Sequence, residues 1–595
     1  MKPQRPLVRV RVLNTEGKFL ERANVTAASS THERFRLHHD PHHNVFTDPG
    51  LRPGVYSLEV HAEGLESVTR EIEVTEQGAC EVFVLGRAGL PSYYRGKVRV
   101  PFDHPNMYAI ALKRRFVDDT FERLTSQQGV SLANFRPQAV EVSDEVRRQG
   151  VQVFTVAPGT GGAFERLARA QSFVRAAGAV VRLTRRSVSF LTNEILLEVK
   201  PDQQIPDVGR SSELNRRPYR NLSNWWTLEA SEPYDSMQLI DLCGQLAGHP
   251  AVAWAEPNLF STVITHTVPT AAPALDQALW NANQPHHKII DTLGAWELST
   301  GRGIVIAIVD GGCDITHPDL AGKIIDRYNF SANPTEGEDP RSLTADPHGT
   351  CCAGIAAAAA NTDSNYSGVA PDAELIVLER FADTDPRFAD IFLWCAGLPT
   401  QRTDLPPGPA KPINVISCSW DLDHVALSAS MKLAFDTLAS EGRVVVFSAG
   451  NLVEADFSTQ AYGALAAYEK NIAVGSSLLG EPNHVALDSG WGIALDLLAP
   501  GGGQGDTVGE TKTTVPPPDT YGPFGHTSCA CPQVAGLVAL MFAVNSGLSS
   551  AQVLELLKQT ADKIGDVEYN ESGFNPLYGF GRVSASKAVA AASKA

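Results

Sequence analysis

The C-terminal half of this 595-residue chain is predicted to fold as α/β, on a doubly wound, mostly parallel sheet, and three observations carry that expectation. The runs "GIVIAIVD", "ELIVLER", "PINVISCSW" and "RVVVFSAGN" are continuously apolar, the pattern of strands buried on both faces. Ala-rich stretches with helical spacing alternate with them, which is the order of an α/β domain. Polar residues stand where these runs end, and in such sheets active residues gather at the strands' carboxyl ends.

Composition bounds the rest. The chain is 43% apolar and 20% charged, as a soluble globular protein of roughly three to five domains of about 100–200 residues would be. A net charge of -17 argues against nucleic acid as partner, because phosphate recognition needs clustered Lys and Arg. The start "MKPQRPLVRVRVLNTEG" alternates apolar and polar residues and lacks the apolar core of a secretory signal. With no apolar run expected to span a membrane, the chain reads as cytoplasmic. Its nine Cys fit reduced thiols better than a disulfide framework.

Residues 1–90 read as a small β-sandwich, because "LVRVRVL", "RANVTAAS", "GVYSLEVHA" and "VTREIEV" alternate with period two around the turn "DPGLRPG". The stretch "TDPGLRPGVYSLEVHAEGL" resembles carboxypeptidase-regulatory-like sandwiches, and the module is read equally as a docking domain or a spacer. Residues 91–186 are mixed α/β, with a strand "VQVFTVAP" before a helical "GGAFERLARAQSFVRAAG"; no role is assigned to them. Residues 187–263 read as α+β: strands in "VSFLTNEILLEVKP", a helix carrying Met237, Leu239, Ile240, Leu242 and Leu246, then the strand "AVAWAEPNLFSTVI". A Pro/Ala-rich linker, 264–285, leads to the α/β domain at 286–595.

Four residues in that domain carry candidate chemistry. Asp310 ends an apolar strand on a Gly-Gly turn, and His348 opens an Ala-rich helix in "DPHGTCCAGIAAAAA". Ser528 precedes Pro532, which suits a first helical turn, so its hydroxyl falls at the helix's positive end. Asn451 ends "RVVVFSAGN", where a side-chain amide can donate to an oxyanion. Each alone has a bland reading: a turn Asp, a structural His, an N-cap Ser.

Together, the ordered pieces "VDGGCDITHPDL", "HGTCCAGIAAA", "GVAPDAELIVL", "VISCSW", "VVVFSAGN", "LLAPGG" and "TSCACPQVAGLVALM" resemble the subtilisin-like serine protease family over about the last 310 residues. The resemblance implies a triad of Asp310, His348 and Ser528, with Asn451 as oxyanion donor, and hydrolysis of protein or peptide substrates. It implies a substrate strand laid beside "SCSW", with Ser417, Ser419, Trp420, Asp421, Ser448 and Gly450 as binding residues. The segment ending "VAWAEPN" is similar to the family's propeptides, which makes the chain's own N-terminal half an expected intramolecular inhibitor. "HGTCCAG" and "SCSW" are similar to the kexin-like branch, and Asp421, Asp423 and Glu379 suggest a lean toward basic residues or, equally, a solvated acidic rim. Under that reading Arg114-Arg115, Arg185-Arg186 and Arg216-Arg217 are candidate self-cleavage sites. No cofactor is required; calcium is common in the family, and "NTDSNYSG" (361–368) with Asp456 would offer it oxygen ligands. The sequence carries no signal for an oligomeric state.

Several competing readings attach to "GHTSCACPQVAG". His526 stands where the family has Gly, so a side chain would crowd Ser528 or strain the backbone, as in an inactive binding protein on a protease fold. His526, Cys529 and Cys531 are poorly spaced for zinc. The thiols of Cys529, Cys531, Cys351, Cys352 and Cys418 would either act as a redox switch with lowered pKa or fill the core.

Overall fold

The computed structural model describes residues 8–595 apart from 113–134, 266–282, 452–464 and shorter loops that include 184–187, 333–337, 361–365 and 423–426. The described chain forms two compact units: one of residues up to 262 with the short segments 382–385 and 425–429, the other of the remainder from Val263.

The first unit opens with seven strands, β1 (Val8–Asn14), β2 (Asn24–Ser29), β3 (Arg34–Asp40), β4 (Val45–Asp48), β5 (Gly54–His61), β6 (Val68–Val74) and β7 (Ala79–Leu85), in the order β6-β5-β2-β3-β4-β1-β7. Period-two patterning puts Val8, Val10, Val12, Val25, Leu58 and Phe83 inside. β3 pairs its first half with β2 and its second half with β4, so the path bends over one core.

A two-stranded ribbon follows, β8 (Ser92–Arg95) with β9 (Val98–Pro101). Next come β10 (Met107–Leu112), β11 (Gln138–Val140), β12 (Val151–Thr155), β13 (Val174–Leu183), β14 (Val188–Val199), β15 (Asn215–Pro218), β16 (Trp225–Glu229) and β17 (Val252–Ser261). They form one sheet, β11-β12-β10-β13-β14-β16-β15, with β17 on β14. Because β13 pairs with β14, this sheet runs straight across the division expected at 186/187. Helices α1 (Gly161–Arg169) and α2 (Ser236–Ala247) pack on it. A full capping box, Asp235 with Gln238, starts α2. The buried Glu165 carboxylate accepts from Ser236 N (2.9 Å) and Oγ (2.7 Å), and burial pushes its pKa up to about 7. In this unit β17 also pairs with Asp383–Thr384, and Glu256 accepts the Ala429 N–H at 3.0 Å.

The second unit begins with β18 (Ile264–Thr265). Its main sheet is parallel: β19 (Val305–Asp310), β20 (Ile324–Asn329), β21 (Glu374–Glu379), then, past the short β22 (Asp383–Thr384) of the first unit, β23 (Val415–Cys418), β25 (Val444–Ser448), β26 (Asn471–Ser477) and β27 (Leu497–Pro500), in the order β20-β21-β19-β23-β25-β26-β27. β24 (Trp420–Asp421) continues beyond β23. Every residue of β19, β23, β25, β26 and β27 is buried, as the unbroken apolar runs require.

Two helices fill the core beside the sheet: α3 (Pro347–Ala357) and α4 (His526–Val544). They cross closely at Gly536, where a Cβ would fall 2.8 Å from both the Ala356 carbonyl and Val369 Cβ. Contrary to the expectation that no such stretch exists, α4 is long and apolar enough to cross a membrane; 89% of that stretch is buried inside the fold, where a helix apolar all round belongs.

Candidate active site

β19 delivers Asp310 to a sharp turn: its Oδ1 accepts the Gly311 N–H at 2.7 Å, and its carbonyl accepts the Arg380 N–H. Asp346 caps α3 by accepting the Gly349 N–H at 2.9 Å, and Pro347 takes the first helical position. His348 follows. Gly349 lets this helix start press onto the Asp310 turn, since a Cβ there would sit 2.0 Å from the Gly312 carbonyl. The result is an imidazole whose Nδ1 lies 3.0 and 3.1 Å from the two Asp310 carboxylate oxygens, both residues buried. Burial favours the neutral carboxyl of Asp310, but His348 and then Arg380 outweigh it and hold the pKa below the usual range. For His348, burial disfavours the cation, yet the Asp310 charge and hydrogen bond prevail and raise the pKa above the ordinary histidine value.

Ser528 is the third residue of α4, behind an extended Gly525 N-cap. The first turn is tied down by its backbone: His526 N–H donates to Gly501 O at 2.9 Å, and the Thr527 N–H and hydroxyl both donate to Asn451 Oδ1, at 3.1 and 2.6 Å. With its carbonyl oxygen so engaged, Asn451 has only its amide N–H groups left to offer. The Ser528 N–H belongs to the first-turn set that a helix leaves without intrahelical partners. Ser528 Oγ donates to the Ser419 carbonyl at 3.4 Å, and Ser419 Oγ donates back to the Ser528 carbonyl at 3.1 Å. Among the described residues His348 Nε2 has no hydrogen-bond partner. Asp310 and His348 are thus joined, and Ser528 is held by Ser419 rather than by His348; Cys352 Sγ lies 3.9 Å from both His348 Nδ1 and the Ser528 carbonyl.

The expected binding residues divide. Trp420 is fully buried, donates from Nε1 to Val309 O at 2.7 Å, and packs on Phe388, Phe392 and Phe447, so its ring belongs to the core and only its backbone faces a strand partner. Ser417 likewise turns inward to Cys531, at 3.6 Å. Ser448 is buried, and Gly450 takes a left-handed φ of +88° with its carbonyl accepting the Gly490 N–H. Asp421 lies half-buried in β24. β24 is paired antiparallel by the chain's own β18, Ile264 opposite Asp421 and Thr265 opposite Trp420.

Several acids and arginines have other uses. Glu379 is fully buried and accepts from Asn329 Nδ2 and Thr344 Oγ1, both at 3.1 Å, so it lines no pocket. Arg216-Arg217 lies in the paired strand β15, with Arg217 ion-paired to Glu194 and Glu229. Asp423, Asp456, Arg114-Arg115, Arg185-Arg186, most of the expected linker and residues 361–365 of the suggested calcium loop lie outside the described residues.

The thiols and His526 also part company. Cys531 Sγ donates to the Cys418 and Val446 carbonyls, Cys529 Sγ sits by Gln533, and His526 Nδ1 lies 2.6 Å from Asp488 Oδ2. The three do not converge on one point. Burial raises the pKa of Cys351, Cys352, Cys418, Cys529 and Cys531, the reverse of the lowering a redox switch needs. Among the described residues Asp310, His348 and Cys352 are the one group of three that could share a metal ion, and this mixed O, N, S set does not fit calcium, which takes oxygen ligands. Ser419, expected as a binding residue, instead exchanges hydrogen bonds with Ser528; sequence reasoning did not reach Thr527, Asp488 or Glu510, and for the Asp346 cap the signal was present in "DPHG".

Comparison with known proteins agrees with this architecture. Residues 301–581 match the subtilase family, Peptidase S8. Thermitase of Thermoactinomyces vulgaris is 32% identical over 295 residues, 50% of this chain and 91% of that protein. The thermophilic serine proteinase of Bacillus sp. is 30% identical over 356 residues, 58% of this chain and 74% of that one. The calcium-dependent proteases of Trichormus variabilis and Nostoc sp. are 33% identical over 338 residues, 50% of this chain and 47% of theirs, so the chain spans about half the length of those relatives. The chain belongs to the subtilase family.

Proposed function

We propose that this chain is a serine endopeptidase. The observation that carries the reading is the buried Asp310–His348 pair beside a serine at a helix N-terminus, with Asn451 turned by Thr527 so that its N–H groups are the available ones. Ser528 Oγ attacks the peptide carbonyl as His348 Nε2 takes its proton. Asp310 fixes the tautomer through Nδ1 and stabilises the imidazolium. Asn451 and the Ser528 N–H donate to the tetrahedral oxyanion. His348 then protonates the leaving amine, and water releases the acyl group. The Ser528–His348 bond forms on substrate binding, when Ser528 leaves the long 3.4 Å contact with Ser419. A fluorophosphonate probe tests this: wild type is labelled on Ser528 and Ser528→Ala is not. No labelling of wild type favours the competing reading, a catalytically impaired binding protein on the same fold.

Substrate adds as a strand to β24 in this reading, and β18 supports it because the chain already lays its own backbone there. The N-terminal half is accordingly an internal inhibitor, released by cleavage after β18. Intact masses tell: wild type loses mass there and Ser528→Ala does not, whereas equal masses mean a permanent regulatory segment. A basic preference is left resting on Asp421 and Asp423, because Glu379 is engaged in the interior. The described cysteines are all free thiols, which suits action in a reducing compartment such as the cytoplasm. Two relatives are named for calcium dependence; no step here passes through a cation.

A further inference from the structure

His526 is one of three non-glycine residues with a left-handed backbone among those described, φ +61°. Such a conformation is strained for a residue with a side chain and persists only where surrounding contacts impose it. Here they do. The imidazole is bracketed by two carboxylates, Nδ1 2.6 Å from Asp488 Oδ2 and Nε2 3.7 Å from Glu510 Oε1. Asp488 is itself fixed, because its Oδ1 accepts the Gln504 N–H at 2.8 Å. Glu510 lies flush against the helix start, where a Cβ on Gly525 would meet its Cγ at 2.9 Å.

The residue after Asp488 closes a circuit. Ser489 forms a backbone bridge with Asn451, and the Gly490 N–H donates to Gly450 O at 2.8 Å. Asn451 in turn accepts from Thr527, the residue after His526. One short segment therefore grips His526 through a side chain and Asn451 through its backbone.

We propose that His526, as an imidazolium held by Asp488 and Glu510, is a positioning residue that fastens the first turn of α4 to the Ser489 segment and so sets Asn451 and the Ser528 N–H for the oxyanion. The inference rests on the protease reading above. The ionisable groups acting on His526 are Asp488 and Glu510; Asp506, in the next loop, faces the N–H groups of Leu479 and Gly480. The hydrogen bond to Asp488 first, then that residue's charge and that of Glu510, raise the His526 pKa against the opposing effect of burial. The clamp is thus complete where both carboxylates are ionised and the imidazole is protonated; it weakens as pH rises through the raised His526 value and, at the acid end, as Glu510 and then Asp488 take up protons.

The test is a pH profile of kcat and KM with active-site titration by the fluorophosphonate. His526→Asn keeps a residue that tolerates the left-handed backbone and offers an amide donor that does not titrate. It is expected to lower kcat about tenfold with KM within about twofold, the signature of a lost transition-state interaction, and to abolish the alkaline limb of kcat. Asp488→Asn, which leaves the imidazole in place, is expected to move that limb to lower pH. An alkaline limb identical in wild type and both variants overturns the inference, as does an unchanged kcat in His526→Asn. Wild type that takes up no probe instead overturns the protease reading on which it stands.

Discussion

At His348 the balance of burial against the Asp310 charge fixes a sign that kinetics can read. The general base must be neutral, and its pKa lies above the ordinary histidine range. Activity therefore falls as pH drops through that raised value. Asp310→Asn removes the stabilising charge, so the acidic limb of kcat/KM is expected to move to lower pH while kcat falls by about 10⁴; a limb left in place contradicts the assigned partnership. The buried thiols give a second outcome at this scale. With pKa values raised by burial, Cys351, Cys352, Cys418, Cys529 and Cys531 are expected to resist iodoacetamide in the folded protein and react only on unfolding, read by mass spectrometry. Asp310, His348, Asn451 and Ser528 could be singled out in the sequence because each closes an apolar run or opens a helix, but their expected roles came only from the ordered motifs and the family these resemble. Thr527, Asp488 and Glu510 could not be, nor could the contact of Ser419 with Ser528. Ser419 meets Ser528 from 109 positions away and Asp488 meets His526 from 38, and no local periodicity encodes such meetings.

Among the elements, α3 and α4 show what tight packing demands. Gly536 leaves room for the Ala356 carbonyl and Val369, and Gly354 for Thr513 and Thr514, whose hydroxyls would lie 2.4 and 2.1 Å from an added Cβ. Gly536→Val is expected to destabilise the fold by roughly 1–3 kcal/mol or more, measured as a lowered midpoint in urea; an unchanged midpoint refutes the close crossing. The parallel strands were readable from unbroken apolar runs. Trp420 misled because an aromatic at a strand end looks like a pocket wall, whereas here Arg380 stacks on one side of it, 4.4 Å from the ring centre, and three phenylalanines surround the rest. The division at 186/187 was placed by a change of pattern, but backbone pairing of β13 with β14 ignores such changes.

For the whole molecule, a buried histidine pair sets the response to acid. In the short helix Pro285–Ile289, His286 Nδ1 meets Thr511 Oγ1 at 2.8 Å and His287 Nε2 meets Ser367 O at 3.1 Å, both rings fully buried. Burial lowers both pKa values, that of His287 from 6.5 to about 4. Between those values the unfolded chain binds a proton that the folded chain refuses, so stability is whole above the upper value and declines as pH falls toward the lower. The loss for His287 is of order 3 kcal/mol. Melting temperature is expected to drop between about pH 7 and about pH 4, and His287→Gln to flatten that slope; an equal slope in both proteins refutes the assignment.

The burial of α4 on all sides has a consequence in time. Its partners lie far off in the chain: Cys531 reaches Val446 across 85 positions and Ser419 meets Ser528 across 109, while Thr511, just ahead of the helix, meets His286 across 225. Contacts so non-local are made only after long loops have closed, and topologies rich in them fold slowly. The nucleophile rides on that helix, so the reactive centre cannot assemble ahead of the core that surrounds it. Completion of the core and the onset of activity are one kinetic event, and the refolding rate followed by tryptophan fluorescence should equal the rate at which fluorophosphonate reactivity returns.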